Sequence, residues 1–316
     1  SDWPTPFRDR IPDALDRLKR EYGRELEYLS FLQFIFFRQW ESFKSACAER
    51  DVRIIGDIPI YVTHDSPEVW AHRRRFRLDA EGRPLAVAGV PPDYFSETGQ
   101  LWGNPVYDWD ELRGEGYAFW IDRIAHNLTL FDLVRIDHFR GLVAYWEVPA
   151  GEKTAVNGRW VDVPVRDFLD TLQRRFPQLP VLAEDLGIIT PDVREVMRDY
   201  NFPGMKVLLF AFGDDTAKNP YTPHNHVKEC VIYTGTHDNN TVRGWFDRDA
   251  SDCEKAGLFR YLGREVGHED IADVMVRLAM MSTADTAIIP VQDVLGLGDG
   301  ARMNTPSVAS GNWGWR

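Results

Sequence analysis

Short apolar runs that each end in a polar residue recur along this chain, and helical segments separate them. Six runs have the length of a strand buried in a parallel sheet, at residues 52–58, 131–137, 180–183, 205–212, 230–235 and 286–291. Apolar residues at helical spacing predict helices at residues 109–130, 166–175, 190–200, 254–266 and 269–283, and Thr190 followed by Pro191 is a good helix start. Strands that alternate with helices in this way predict an α/β fold with parallel strands.

Other segments depart from this alternation. Residues 12–50 have leucines and aromatic residues at helical spacing, which predicts an amphipathic helix whose apolar side packs into the core. Residues 66–110 have too little strand pattern for another barrel strand and include an ordered loop from 89 to 105, while residues 151–165 predict an irregular insertion. Long loops in compact domains are commonly functional.

Acidic residues stand at or near the ends of several predicted strands. They include Asp57, Asp137, Glu184 and Asp238, and the last three are separated by intervals long enough for a βα unit and a strand. Strand ends meet at one face of a (β/α)₈ barrel, so these carboxyl groups could converge on one substrate bond. Glycoside chemistry needs such groups, because one carboxyl must attack or stabilise the sugar cation while another protonates the leaving oxygen.

Composition narrows the choice of partners. The 316 residues carry a net charge of −12 with a pI near 5.2, which argues against a nucleic-acid or acidic-membrane partner. Cys47, Cys230 and Cys253 are widely spaced, which suggests neither a disulfide framework nor a zinc site, and a reducing compartment such as the cytoplasm is expected. No apolar run approaches the roughly 18 residues of a membrane span. The aromatic content of 13% fits either a large core or a sugar-stacking surface.

The strand-end acids also have purely structural interpretations, which the residues alone leave open. Asp137 lies between two arginines and could form a structural ion pair. Glu184 and Asp185 could serve a helix N-terminus, and Asp238 could be an N-cap.

Two further patterns call for a structural explanation. His224 and His226, with His237 nearby, offer only a weak metal site, because no carboxylate or thiol falls at ligand spacing around them. Phe210 and Phe212 alternate on a predicted strand, so one of them is expected in the core.

Seven motifs occur in order at residues 56–62, 89–105, 135–141, 183–187, 233–239, 290–298 and 302–313. Among them are Arg-Ile-Asp-His-Phe-Arg-Gly at 135–141, Ala-Glu-Asp-Leu-Gly at 183–187 and Thr-His-Asp-Asn at 236–239. Together they resemble the 4-α-glucanotransferases, also called amylomaltases or disproportionating enzymes, over nearly the whole chain. The resemblance implies a (β/α)₈ TIM-barrel-type fold, with six of its eight strands identifiable here. Residues 1–316 would form one catalytic domain, incomplete at the N-terminus, with residues 66–110 as a substrate-covering loop insertion.

The resemblance also implies a role for each acid. Asp137 takes the position of the family's nucleophile, Glu184 that of its acid/base, and Asp238 that of the carboxylate that stabilises the transition state. A retaining reaction needs two carboxyl groups about 5–5.5 Å apart. Arg135, on the same strand face as Asp137, is expected to keep the nucleophile ionised. The implied substrate-binding residues are Asp57, Asp93, Tyr94, Phe95, Trp102, Asn104, Arg135, Phe210, Asp214 and His237.

The expected function is transfer of α-1,4-glucan segments between maltooligosaccharides or starch through a covalent intermediate on Asp137. No cofactor and no metal is expected. Two alternatives stay open: an α-amylase-type hydrolase that uses water as acceptor, and a glucan-binding fragment without turnover. Six strands would leave open edges, so a missing N-terminal half-domain, in the same or another chain, is an expected partner beside the glucan substrates.

Overall fold

Two parallel three-stranded sheets, each within its own compact unit, organise the residues that the structure describes. The structure is a computed structural model that describes residues 3–92, 96–213 and 215–316. The first unit comprises residues 1–184 and 189–200, and the second comprises residues 185–188 and 201–316.

The first unit contains seven strands within its described residues: β1 (Ile55–Ile58), β2 (Ala86–Val90), β3 (Gln100–Pro105), β4 (Leu133–Ile136), β5 (Ala144–Pro149), β6 (Arg159–Asp162) and β7 (Val181–Ala183). Its helices are α1 (Thr5–Arg8), α2 (Pro12–Glu21), α3 (Gly23–Ala48), α4 (Pro67–Ala71), α5 (Trp109–Gly114), α6 (Ala118–Leu130), α7 (Val165–Arg175) and α8 (Pro191–Asp199). Strands β1, β4 and β7 form a parallel sheet in that order, with Asp57 opposite Arg135. The side chains of Val134, Ile136 and Ala183 are almost fully buried, which is typical of parallel strands covered on both faces.

The second sheet of this unit is antiparallel, with the order β3-β2-β5-β6. The interpretation of residues 89–105 as a loop and of 151–165 as an irregular insertion is therefore wrong where β2, β3 and β6 lie. Strand β2 is buried at three of five positions and β3 is exposed at three of six, and neither shows the alternation that marks a half-buried strand. A side chain at Gly89 would come within 2.5 Å of the Gln100 carbonyl, so the close approach of β2 and β3 requires glycine there.

The helix predicted at residues 12–50 is present as α2 and α3, but the predicted packing of its apolar side is wrong. Helix α3 has no buried residue, because no described part of the chain covers its apolar side. Its anchor is Trp40, whose indole Nε1 donates to the Leu130 carbonyl at 2.9 Å and whose ring packs edge-on against Phe131. The exposed large apolar side chains of this helix are Leu26, Tyr28, Leu29, Phe31, Leu32, Phe34, Phe36, Phe37 and Phe43.

None of the helices in the described ranges is long and apolar enough to cross a membrane. The helix predicted at 109–130 is interrupted between α5 and α6, where Gly116 and Tyr117 adopt positive φ angles of 63° and 58°. Helix α8 begins at Pro191 with Thr190 as N-cap, as predicted.

The second unit contains β8 (Gly204–Val207), β9 (Cys230–Tyr233) and β10 (Thr286–Ile288), which form a parallel sheet in the order β10-β9-β8. Its helices are α9 (Val242–Gly244), α10 (Asp252–Leu262), α11 (Ile271–Met280) and α12 (Val291–Val294). The strand predicted at 205–212 ends at Val207, and a single 3₁₀ turn follows it. Phe210 and Phe212 therefore do not alternate on a strand, although Phe212 lies in the core at 1% exposure while Phe210 is 38% exposed.

Candidate active site

The first unit brings Asp57, Arg135 and Asp137 together at the ends of β1 and β4. Arg135 donates two hydrogen bonds to the Asp57 carboxylate, from Nε at 2.9 Å and from Nη2 at 2.8 Å. The same Nη2 donates to Oδ1 of Asp137 at 2.9 Å. The register that sets Asp57 opposite Arg135 makes this possible, since paired residues of neighbouring strands point to the same side of the sheet. One guanidinium thus links two carboxylates.

Charge explains why this cluster holds together. Burial disfavours the charged form of Arg135, but its hydrogen bonds to Asp57 and the charges of Asp57, Asp137 and Glu184 outweigh that effect and raise its pKa. The Arg135 side chain is 12% exposed, whereas about half of each aspartate side chain is accessible. The arginine is therefore a fixed cation beneath two reachable carboxylates, which is the arrangement that favours an ionised nucleophile.

Glu184 follows β7 and is fixed to the residue after Asp137. Its backbone N–H donates to the Ile136 carbonyl at 3.0 Å, and its carboxylate Oε2 accepts the backbone N–H of His138 at 2.8 Å. His138 can aim this N–H because it adopts a left-handed conformation, with φ 51° and ψ 50°. A non-glycine residue in that region is uncommon and often marks a functional position. The acid of one strand end is thereby tied to the backbone of its neighbour.

Trp102 of β3 contacts His138, which follows Asp137, and Asn104 of the same strand contacts the segment after β1. The Trp102 ring meets the His138 ring edge-on at 4.7 Å, and Asn104 Nδ2 donates to the Val62 carbonyl at 3.0 Å. Burial, with the charge of Arg140, lowers the pKa of His138 to about 4, so its imidazole is neutral near pH 7. Trp102 therefore packs against an uncharged ring and keeps part of its own surface exposed.

The second unit carries His237 and Asp238 in the loop after β9. His237 Nε2 lies 3.6 Å from Asp238 Oδ2. The turn is closed by Asn239, whose Oδ1 accepts the Thr236 backbone N–H at 2.8 Å. Thr241, not Asp238, is the N-cap of α9, so the N-cap interpretation of Asp238 is wrong.

A segment near the C-terminal end of the chain contacts both of these residues. Asn304 Nδ2 donates to Asp238 Oδ1 at 2.6 Å, and the Asn304 backbone N–H donates to the His237 carbonyl at 3.1 Å. Arg302 Nη2 donates to the Asp238 carbonyl at 2.8 Å. The ring of Trp313 lies 5.3 Å from that of His237. Residues 302–313 therefore hold the main chain and the carboxylate of this loop.

Asp293, which follows β10, forms hydrogen bonds with residues on both sides of the same loop. It is 2% exposed, and its two oxygens accept from Thr234 Oγ1 at 2.5 Å and from the Val242 backbone N–H at 2.8 Å. Burial raises the pKa of this carboxyl, although both hydrogen bonds oppose the shift. Asp293 thus joins the strand end that precedes the loop to the helix that follows it.

The remaining predicted site residues are placed differently. Phe210 packs edge-on against Tyr221 and keeps an exposed face. Asp93, Tyr94, Phe95 and Asp214 lie outside the described residues. His226 contacts Ser282 Oγ and the Tyr221 carbonyl, and His224 contacts the Ala217 carbonyl, so both rings have structural partners in place of a metal.

Comparison with known proteins decides the family. A family model described as 4-alpha-glucanotransferase matches residues 1–316. The chain belongs to this family. It is 52% identical over 322 residues to the 4-alpha-glucanotransferase of Thermus thermophilus, in a match that covers 99% of this chain and 64% of the relative. It is 45% identical over 315 residues to the chloroplastic/amyloplastic 4-alpha-glucanotransferase of Solanum tuberosum, covering 100% of this chain and 54% of the relative.

A solved structure agrees with this membership. The amylomaltase from Streptococcus agalactiae in complex with acarbose has a TM-score of 0.95 and 36% identity, and the match covers 100% of this chain and 63% of that one. The likeness confirms the predicted (β/α)₈ TIM-barrel type of fold. The chain thus spans less than two thirds of the length of these 4-alpha-glucanotransferases and of the amylomaltase.

Three groups of this chain were not predicted as part of the site: the His138 backbone N–H, Asn304 and Asp293. The motifs at 135–141, 290–298 and 302–313 contain all three, and no role follows from their position in the sequence. The role of each group depends on backbone conformation or on a contact with a residue far away in sequence. A sequence motif gives neither the conformation nor the contact. The left-handed φ of His138 has no marker in the sequence, since the residue is not glycine.

Proposed function

We propose that this chain carries the catalytic centre of a 4-α-glucanotransferase, which moves α-1,4-glucan segments between maltooligosaccharides or starch chains. One observation carries the proposal. Arg135 links Asp57 to Asp137 at the end of β4, while the neighbouring His138 N–H ties Glu184 to the same place. Two carboxyl groups fixed at adjacent strand ends, with the Arg135 cation in direct contact with Asp137, suit a nucleophile and an acid/base.

The proposed reaction proceeds in two displacements. Asp137 attacks the anomeric carbon of the donor sugar and forms a glycosyl ester, while Glu184 gives its proton to the departing glycosidic oxygen. In the second step the 4-hydroxyl of an acceptor sugar attacks the same carbon, Glu184 takes up the hydroxyl proton, and the ester bond to Asp137 breaks. The configuration at the anomeric carbon is retained, and no cofactor or metal enters the scheme.

Asp238 and His237 are proposed to bind hydroxyls of the donor ring. Asp238 offers acceptor oxygens and is about half exposed, and the His237 ring nitrogen lies beside it. Substrate distortion and hydrogen bonds to sugar hydroxyls that strengthen in the transition state together supply several kcal/mol in glycoside chemistry, and this pair is proposed to contribute part of that amount.

The other substrate contacts are proposed from exposure and position. Asp57 is reachable beside Arg135, and Trp102 and Phe210 keep exposed aromatic surface that can pack against sugar rings. Asn104 lies on the strand of Trp102. Asp93, Tyr94, Phe95 and Asp214 belong to the proposed set through the family resemblance, with Tyr94 and Phe95 in the loop proposed to keep water from the ester.

The first test is incubation of the chain with maltotriose, with products resolved over time. A transferase gives longer maltooligosaccharides together with glucose, and Asp137→Asn abolishes both. The exposed Asp273→Asn serves as the matched control, since Asp273 pairs with Arg277 on the surface of α11. Glucose and maltose without longer products would instead support the hydrolase, and binding without any product would support a glucan-binding fragment.

We further propose that the uncovered side of α3 is where an N-terminal half-domain of the family barrel packs, in the same or another chain. The support is the set of large apolar side chains that this helix exposes. The part of the Thermus thermophilus relative outside the match is the probe. Complex formation is expected with this chain and with Val156→Asp, an exposed apolar position elsewhere, and is expected to fail with Phe34→Asp. Equal binding by both variants would contradict the proposal.

The proposed location is the cytoplasm, on the grounds of the wide cysteine spacing. Imaging of a fluorescently tagged chain in the source cells tests this, and accumulation in another compartment would overturn it.

A further inference from the structure

One distant residue, Asn304, contacts both the Asp238 side chain and the main chain of the preceding residue, His237. Asn304 donates from Nδ2 to Asp238 Oδ1 at 2.6 Å, and from its backbone N–H to the His237 carbonyl at 3.1 Å. These contacts cross more than sixty residues of sequence but lie within one unit. A half-exposed aspartate side chain would otherwise rotate among several rotamers.

We infer that Asn304 is a positioning residue, which fixes the Asp238 carboxylate so that Oδ2 meets the sugar hydroxyls of the donor ring. The inference rests on the proposed function and assigns a residue to it. The Asn304 side-chain amide donates to Oδ1 of Asp238, and Oδ2 is the oxygen that we assign to the sugar hydroxyls. Oδ2 then lies on the side of His237, at 3.6 Å from its Nε2. The carboxylate oxygen and the ring nitrogen form a pair suited to adjacent hydroxyls.

The segment that carries Asn304 is braced by its own hydrogen bonds. Asn312 accepts the Thr305 backbone N–H at 3.0 Å and donates to the Val308 carbonyl at 2.8 Å. The Trp313 backbone N–H donates to the Met303 carbonyl at 2.7 Å, which closes the segment next to Asn304. A segment fixed by its own hydrogen bonds can keep the Asp238 carboxylate in one position. Less conformational entropy is then lost when the substrate binds.

The test compares four proteins by calorimetric titration with maltotriose, all carrying Asp137→Asn so that the sugar is not turned over: this background itself, and the background with Asn304→Ala, with Asp238→Ala and with both substitutions. A hydrogen bond to a charged group supports about a tenfold loss of affinity in Asn304→Ala. In the Asp238→Ala background the same substitution should add less than about a twofold change, because the residue acts through Asp238. A full additional loss in the double variant would overturn the inference.

Asn304→Asp separates positioning from a merely structural role. Aspartate keeps the shape of asparagine and its backbone contact to His237, but it replaces the N–H donor by a charge that repels Asp238. Positioning through the hydrogen bond predicts that Asn304→Asp binds maltotriose no better than Asn304→Ala. A structural role predicts the opposite order, and that order would also overturn the inference.

Crystal structures of the wild type and of Asn304→Ala without sugar provide an arm that does not depend on binding. If the Asp137→Asn protein fails to bind maltotriose, the proposed function fails, and these structures still decide what Asn304 does. A rotated Asp238 carboxylate in the variant supports the positioning role. A carboxylate that keeps its place refutes it.

Discussion

Removal of the Asp293 carboxylate should loosen the loop that carries Asp238. Asp293 holds two donors that have no access to solvent, the hydroxyl of Thr234 and the backbone N–H of Val242, each at 0% exposure. A buried donor left without a partner costs about 1–3 kcal/mol, so the two together cost about 2–6 kcal/mol. We expect Asp293→Ala to fall in the lower half of that range, since the deleted side chain leaves room for water to enter.

Asp293→Asn should cost less than about 1 kcal/mol, because it can keep both contacts. Its Oδ1 can accept the Val242 N–H, and its Nδ2 can donate to Thr234 Oγ1 if that hydroxyl reverses. The variant also removes a carboxyl whose pKa is raised by burial. Stability that comes from protonation of such a group is fully present below its unfolded-state pKa of about 3.9 and is lost as the pH rises through the raised value. Wild-type stability should therefore fall relative to Asp293→Asn as the pH rises across that window.

Amide hydrogen exchange at Val242 is the assay, because the two units need not unfold in one step. A loss of about 2–4 kcal/mol in local stability corresponds to exchange that is roughly thirty to a thousand times faster in Asp293→Ala. The exposed Asp273→Ala in the same unit is the control and should leave this amide unchanged. Unchanged Val242 exchange in Asp293→Ala would refute the role given to Asp293.

Three further predictions concern the first unit. Arg135→Gln removes a cation beside the Asp137 carboxylate and should lower the rate of maltotriose disproportionation by at least about a hundredfold. The acidic limb of the pH–rate profile should move to higher pH, because the cation favours the ionised carboxylate. An unshifted limb would argue against charge pairing between the two residues. The His138 imidazole should titrate near pH 4 by NMR. The free energy of unfolding should fall as the pH drops from about 6.5 towards 4, because the unfolded chain takes up the proton first. A titration near pH 6.5 would show that the ring is not held in a buried environment. Gly56→Ala should destabilise by about 1–3 kcal/mol in denaturant unfolding, because its methyl group would lie 2.0 Å from a ring carbon of Phe131; Gly114→Ala, with nothing within 4 Å, is the control.

The parallel strands and the acids at their ends were predictable because both are local in sequence. An apolar run followed by a carboxylate gives the strand and its end together, as at Asp137 and Glu184. The contact between Arg135 and Asp137 also follows from two residues on one strand face. The catalytic roles of these acids remain predictions.

The antiparallel sheet and the surface of α3 were not predictable in the same way. Strand β3 pairs with β2, but half of its residues are exposed, so its side chains show no alternation of apolar and polar residues in the sequence. For α3 the pattern correctly indicated a helix, but a pattern cannot tell whether any part of the same chain covers its apolar residues. Spacing also gives no register, and the register decides that Asp57 meets Arg135.

The contact between His138 and Glu184 restricts how the proposed acid can work. Oε2 accepts a backbone N–H at 2.8 Å, and a carboxyl oxygen that carries a proton is a poor acceptor in that direction. When Glu184 is protonated, the proton therefore belongs on Oε1, and Oε2 keeps its bond to His138. Because the donor is a backbone group fixed by the left-handed turn, it stays in place while Glu184 gives up its proton in the first displacement and takes one up in the second. In the proposed reaction Oε1 is therefore the oxygen that exchanges the proton in both steps, and the left-handed turn beside the proposed nucleophile is consistent with such a role.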